Sequence, residues 1–253
     1  MSDSLKSVFV DYSLVTAFAV IGLTVGFSYF LSHRLTRGRL HGSAIAIMLG
    51  LLMAYFGGME THGKKGIADL PIFAGIGLMG GNMIRDLAIV ATSMGVHLGE
   101  IRKTGLGGVV SLLVGVFVPF IVGAGVARAF GYTDAVSMTT IGAGAATFIV
   151  GPVTGTALGA SSDIIALSVA AGLVKAILVM IGTPFIAKSI GLNNPRTALI
   201  FGGLMGTTSG VAGGLAATDP KLVPYGAMTA TFHTGLGCLL GPSVMYFLIR
   251  QVA

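Results

Sequence analysis

Apolar stretches of about 20 residues recur from one end of the chain to the other, and they constrain its fold more than any other feature. A helix of that length crosses the hydrocarbon core of a bilayer, which is about 30 Å thick. Only 9% of the residues are charged and 54% are hydrophobic, whereas a soluble domain has about 25% charged residues. The sequence therefore predicts an all-α polytopic membrane protein that is embedded in the lipid bilayer.

Six segments are long and apolar enough to be full spans, and two further apolar segments are interrupted near their centres by helix-breaking residues. The predicted full spans are Tyr12–Leu31, Gly42–Gly58, an interrupted Leu70–Gly95, Gly105–Phe130, Ile164–Ala187 and Pro224–Ile249. The two interrupted segments are Ala135–Ser162 and Thr197–Thr218.

The charged and catalytic residue types exclude several classes of function. The net charge is +6, but the basic residues lie at segment ends, which indicates membrane topology and not nucleic-acid binding. The loop His33–Arg39 carries three arginines and is expected to face the cytoplasm. A single cysteine, Cys238, offers no disulfide or zinc framework. Because the sequence has neither a Gly-x-Ser-x-Gly nor a His-Glu-x-x-His motif, we expect no enzyme.

Two glycine-bracketed clusters, Gly-Pro-Val-Thr-Gly at 151–155 and Gly-Thr-Thr-Ser-Gly at 206–210, interrupt the apolar pattern. In lipid, irregular backbone is tolerated only where it is buried in protein or lines a cavity. A matched pair of such interruptions is typical of the binding site of a secondary transporter. The predicted breaks are Gly151, Pro152, Gly206 and Gly210.

The length of the second interrupted segment bears on its topology. Within Thr197–Thr218, the breaker leaves arms of nine and eight residues, each too short to span a bilayer. This favours two re-entrant hairpins, with broken full-length helices as the alternative. Matching endings follow the two clusters, Ala160–Asp163 and Ala216–Asp219, and each leads into a span that closes with glycine and proline. A hairpin plus one span has an odd number of crossings, so the duplication predicts an inverted repeat.

Longer motifs run through the whole chain. They are Ser32–Arg39, Gly75–Gly81, Thr139–Ala145, Ile149–Gly155, Gly159–Asp163, Gly191–Arg196, Phe201–Gly210, Ala217–Pro220 and Gly237–Ser243. On these motifs the chain resembles, almost from end to end, the MadM family of malonate transporter subunits. The resemblance implies a subunit that imports malonate with sodium as the coupling ion, has no covalent cofactor and works with a small second membrane subunit, MadL. We expect it in the bacterial inner (cytoplasmic) membrane, and a higher-order oligomer is compatible with this reading.

The position of the breaks suggests how such a transporter would move. The early spans lack a comparable break apart from Gly75–Asn82. We therefore expect residues 1–134 to form a scaffold and residues 135–253 a transport half with an elevator-like motion, within a single membrane domain. A weaker likeness of the last 120 residues to the LrgB/CidB proteins gives an alternative function, a channel or exporter component for small carboxylates. Sodium-dependent accumulation would separate the two functions.

Malonate is a small dianion, so its site must supply hydrogen-bond donors or positive charge. Helix N-termini at the breaks present backbone N–H groups, while hydroxyls and freed carbonyls suit sodium. Lys175 lies midway along a span and is expected either to attract malonate or to brace the hairpin backbone. His233 is interpreted as a hydrogen-bonded packing residue. The predicted substrate residues are Thr154, Gly155, Thr156, Thr207, Thr208, Ser209, Gly210 and Lys175, and the predicted sodium ligands are Gly151, Thr154, Thr207 and Ser209.

Overall fold

A computed structural model describes residues 3–37, 42–62, 66–79 and 98–253, and every regular element in those ranges is helical. The chain forms two compact units, Met1–Ala91 and Thr92–Ala253. The predicted division at residue 134 concerns function and stays a prediction.

The first unit is built on two long apolar helices. Its described helices are α1 (Asp3–Asp11), α2 (Ser13–Thr36), α3 (Gly42–Thr61) and α4 (Ala74–Met79), with 3-10 turns at Gly66–Asp69 and Pro71–Phe73. Glycine allows close approach at two points: a Cβ added at Gly42 would lie 2.6 Å from the Tyr29 ring, and one at Gly75 would overlap the Ser13 carbonyl.

The second unit alternates long helices with pairs of short ones. Its helices are α5 (Leu98–Ala129), α6 (Ala135–Ala146), α7 (Val150–Leu158), α8 (Ser162–Ile186), α9 (Pro195–Met205), α10 (Thr208–Ala216), α11 (Val223–Leu240) and α12 (Tyr246–Arg250). A 3-10 turn at Pro220–Leu222 precedes α11, and a π-helical turn at Gly241–Met245 joins α11 to α12. Each short pair is followed by a long helix, as the two interrupted segments of the sequence predict.

Four stretches of the described chain are long and apolar enough to cross a membrane. They are Ser13–Thr36, Thr104–Ala129, Ser162–Ile186 and Pro220–Arg250, and they coincide with four of the six predicted spans. The predicted span Gly42–Gly58 falls in α3, where the apolar stretch is the shorter Ile45–Thr61. Most of Leu70–Gly95, including Gly80 and Gly81, lies outside the described residues. The total of six spans stays a prediction.

The first short pair, α6 and α7, folds back on itself. Cβ atoms added at Gly151 and Gly155 would lie 2.9 Å from Gly144 Cα and 2.7 Å from Thr140 Cγ2. Contacts between positions 144 and 151 and between positions 140 and 155 are those of antiparallel arms. Thr147 has extended backbone (φ −163°, ψ 149°) and ends α6.

The second short pair, α9 and α10, folds back around α11. A Cβ added at Gly226 of α11 would lie 2.8 Å from Val211 and 3.4 Å from the Ala198 carbonyl, and it would overlap Leu215. Residues 198 and 215 of one continuous helix would be about 25 Å apart, so they could not both reach Gly226. Gly206 ends α9 in the left-handed region, at φ 67°. The re-entrant placement of both pairs in a membrane stays a prediction.

Only the second glycine cluster overlaps a break. The breaks fall at 147–149 and 206–207, whereas Gly151, Pro152 and Gly210 lie inside α7 and α10. Proline fits in the first turn of a helix, because the N–H it lacks would have no intrahelical acceptor there. Gly210 serves a close approach, since a Cβ there would lie 2.6 Å from the Ala176 carbonyl. Of the four predicted break residues, Gly206 lies between two helices and the other three lie inside helices.

Two turns of the second unit share a local geometry at a spacing of 60 residues, whereas the glycine clusters are 55 residues apart. Gly131 and Gly191 both have positive φ, at 91° and 65°. Three residues later, Asp134 and Asn194 cap α6 and α9, accepting hydrogen bonds from backbone N–H groups at 2.8 and 3.1 Å. The N–H of Ser137 holds the pKa of Asp134 below its ordinary value. The same spacing brings Thr147 and Thr207, at the two breaks, into correspondence.

Candidate functional site

Each break carries a buried threonine whose hydroxyl has no protein partner. Thr147 and Thr207 are 1% and 0% exposed, and neither Oγ1 forms a hydrogen bond within the described part of the chain. Thr207 is the N-cap residue of α10, yet its side chain makes no capping bond. A buried hydroxyl without a partner costs roughly 1–3 kcal/mol. Both hydroxyls are therefore suited to bind a ligand atom.

The N-terminus of α10 adds backbone donors beside Thr207. Val211 donates the first intrahelical bond of α10, to the Thr207 carbonyl at 2.8 Å. The amides of Thr208, Ser209 and Gly210 precede that bond, so they have no acceptor within the helix. Such amides, with the positive end of the helix dipole, favour an anion. The Thr208 side chain is half-buried and that of Ser209 is exposed.

Lys175 of α8 brings positive charge to the first break. Its side chain is half-buried, and Nζ donates a 2.6 Å hydrogen bond to the carbonyl of Ala146, the last residue of α6. This carbonyl belongs to the helix end, where intrahelical donors run out. If Lys175 braces the hairpin backbone, it must form a hydrogen bond of this kind. The same bond places the ammonium next to Thr147. A direct role in attracting malonate stays a prediction.

His233 of α11 links the two breaks. It is fully buried, and Nδ1 lies 3.0 Å from the Gly203 carbonyl. A carbonyl only accepts, so Nδ1 carries the hydrogen and donates it. Nε2 makes no hydrogen bond to the described residues. The ring packs on Gly206 of the second break, where an added Cβ would overlap it, and one turn further along α11 a Cβ added at Gly237 would lie 2.8 Å from Val150, which follows the first break. We call Thr147, Lys175, Thr207 and His233 the central cluster.

Thr154, a predicted substrate and sodium residue, lies apart from the central cluster. It is 0% exposed, and its hydroxyl has no partner among the described residues. It packs on Gly241, at the start of the π turn, where an added Cβ would overlap the Thr154 hydroxyl. Position 241 is eight residues beyond His233, which is about 12 Å along the helix axis. Thr154 and Thr207 therefore belong to different parts of the site.

The remaining predicted residues have other surroundings. Gly155 packs between Thr140 and Ile165, inside the first hairpin, and Thr156 is exposed. Gly151 lies against Ser168 of α8. In the first unit, a groove of about 420 Å³ is lined almost wholly by apolar side chains, which do not suit a dianion.

Thr147 is the one residue of the central cluster that the sequence analysis does not single out, because it lies outside the glycine clusters. His233 is buried and hydrogen-bonded, as its interpretation as a packing residue predicts. A usable signal exists in Gly131-x-x-Asp134 and Gly191-x-x-Asn194, because alignment on these turns places Thr147 opposite Thr207.

Comparison with known proteins identifies one family. A family model described as the malonate/sodium symporter MadM subunit matches residues 5–253, which is nearly the whole chain. No curated protein and no solved structure matches the chain. The family resemblance noted from the motifs is confirmed.

Proposed function

The chain belongs to the MadM family of malonate/sodium symporter subunits, and from that premise we propose that it imports malonate with sodium in a complex with the small membrane subunit MadL. One observation carries the proposal: at each helix break a buried threonine hydroxyl has no partner in the described chain, and the Lys175 ammonium binds the helix end at the first break. In a chain with this many apolar segments, such a concentration of donors is suited to a small anion.

The malonate site proposed is the central cluster together with the first turn of α10. Lys175 supplies positive charge, Thr147 and Thr207 supply hydroxyl donors, and the amides of Thr208, Ser209 and Gly210 supply backbone donors. Gly155 and Thr156 are left out of this site, because one lies inside the first hairpin and the other is exposed.

Sodium is proposed to bind near Thr154, away from malonate. The buried Thr154 oxygen is a neutral, hard ligand of the kind that alkali cations bind at irregular segments. It faces the π turn Gly241–Met245, in which Pro242 has no N–H to donate to the preceding turn. π turns of this kind often occur at functional sites.

Uptake of labelled malonate into vesicles tests the function, measured with and without MadL across a series of sodium concentrations. We expect malonate to accumulate against its gradient only when sodium and both subunits are present. Equilibration of malonate without sodium would instead favour the LrgB/CidB-like alternative, a channel or exporter component.

The mobile part in an elevator motion is proposed to begin with α5 and not at residue 135. A Cβ added at Gly115 of α5 would overlap the Gly203 carbonyl, and one at Gly142 of α6 would lie 2.8 Å from the Phe120 carbonyl. Backbones in such close contact move together.

In a Cys238→Ser background, cysteine pairs between α2 and the second unit should cross-link in different yields with and without malonate and sodium. Equal yields for all pairs would argue against the motion.

Replacing Lys175 with methionine should weaken malonate binding. The change removes the ammonium and leaves the Ala146 carbonyl without its donor, and a lost hydrogen bond to a charged group corresponds to roughly tenfold or more in affinity. Sodium binding measured without malonate should change less than about twofold. The control is Lys188→Met, because Lys188 is exposed. A Lys175→Met complex with normal yield and normal malonate affinity would exclude both roles for Lys175.

A further inference from the structure

We propose that each half of the duplicated segment binds one carboxylate group of the substrate, through Thr147 in the first half and Thr207 in the second. The inference rests on the proposed function and assigns the two carboxylates of the substrate to the two helix breaks.

The two threonines occupy equivalent places in the duplicated segment. Each follows its helix-capping residue, Asp134 or Asn194, by 13 positions (147 − 134 and 207 − 194). Each lies between the two arms of its hairpin, is nearly fully buried and has a hydroxyl without a partner in the described chain. Two equivalent donors without acceptors are suited to two equivalent acceptor groups on the ligand.

A nitrogen-bearing side chain accompanies each threonine. In the first half it is Lys175 of the following long helix, which donates to the Ala146 carbonyl at 2.6 Å. In the second half it is His233 of the following long helix, which donates from Nδ1 to the Gly203 carbonyl at 3.0 Å. Both long helices therefore place a polar side chain at the end of the preceding first arm, next to the break.

The two half-sites are neighbours, because both breaks pack on one turn of α8. A Cβ added at Gly172 of α8 would overlap Phe148 of the first break, and one at Gly210, in the first turn of α10, would lie 2.6 Å from the Ala176 carbonyl of α8. Residues 172 and 176 are about 6 Å apart along the helix axis. A molecule with one methylene between its carboxylates can bridge such neighbouring half-sites. A monocarboxylate would fill only one of them, so acetate should bind much more weakly than malonate.

The test is uptake of labelled malonate by the complex with MadL, in wild type, Thr147→Val and Thr207→Val. Valine keeps the shape and removes the hydroxyl. We expect both variants to raise the KM for malonate at least tenfold, and each to reduce the preference for malonate over competing acetate. The matched control is Thr140→Val, since Thr140 is equally buried but its hydroxyl already bonds the Val136 carbonyl at 2.8 Å. That control should stay within about twofold of wild type.

The outcomes separate this inference from the proposed function. A wild-type complex without sodium-driven uptake contradicts the proposed function itself. Normal wild-type uptake with Thr147→Val indistinguishable from Thr140→Val overturns the two-carboxylate site alone. If the valine variants fail to assemble, the wild-type complex still tests the inference. Wild-type competition needs no variant: acetate competing as well as unlabelled malonate also overturns it.

Discussion

Gly206→Ala is expected to abolish malonate uptake and to lower the yield of folded complex severely. Gly206 has a φ of 67°, a left-handed conformation that costs a residue with a Cβ about 1–2 kcal/mol. The new Cβ would also overlap the buried His233 ring, and overpacking of this kind costs typically 1–3 kcal/mol. Because Gly206 and His233 join the second break to α11, the change disturbs the centre of the proposed site. Yield after purification and uptake in vesicles measure the two effects.

Two other glycines separate the backbone effect from the packing effect. Gly159 and Gly191 have similar φ values, 73° and 65°, and nothing lies within 4 Å of a Cβ added at either position. Alanine at either position should therefore incur only the backbone cost and leave measurable uptake. Equal behaviour of Gly206→Ala and Gly159→Ala would show that His233 does not pack on the second break as described.

Thr154→Val is expected to raise the sodium concentration for half-maximal uptake by about tenfold, the effect of losing roughly 1.4 kcal/mol of ion binding. The variant removes the buried oxygen that faces the π turn. The KM for malonate at saturating sodium should change much less, because Gly241, which Thr154 contacts, lies about 12 Å along the helix axis from His233. Uptake measured over a grid of sodium and malonate concentrations distinguishes the two effects.

Two control variants test whether the effect comes from the Thr154 oxygen itself. Thr154→Ser keeps the oxygen and should retain most of the sodium affinity. Thr183→Val removes a buried hydroxyl that already bonds the Val179 carbonyl, so sodium dependence should be unaffected. A Thr154→Val variant with unchanged sodium dependence would remove Thr154 from the sodium site.

Much of the fold can be predicted from the sequence, because span length and helix-breaking residues act locally. Hydropathy alone locates the long helices, and the two interrupted segments do form pairs of short helices. The positions of the breaks are harder to predict, because a glycine or proline can serve packing or a first helical turn. Pro152 lies in the first turn of a helix, and Gly210 lies inside a helix where it allows close packing. Thr147, in contrast, ends a helix without glycine or proline.

The site is less predictable than the fold. Thr207 lies next to Gly206 in a glycine cluster of the sequence, and Lys175 stands out as a charge inside an apolar span. Thr139 and Thr147 look alike in sequence, but Thr139 bonds the Ala135 carbonyl within its helix while the Thr147 hydroxyl has no such acceptor. Whether a buried hydroxyl has a partner depends on tertiary packing, which a single sequence does not reveal.

An experimental structure of the complex with MadL, determined in malonate and sodium and compared with one determined without malonate, tests the proposed malonate site. Malonate should lie between the two breaks, with its carboxylate oxygens within hydrogen-bond distance, about 2.5–3.0 Å, of the Thr147 and Thr207 hydroxyls. Malonate bound elsewhere, with both hydroxyls bonded only to protein, would contradict the proposed site.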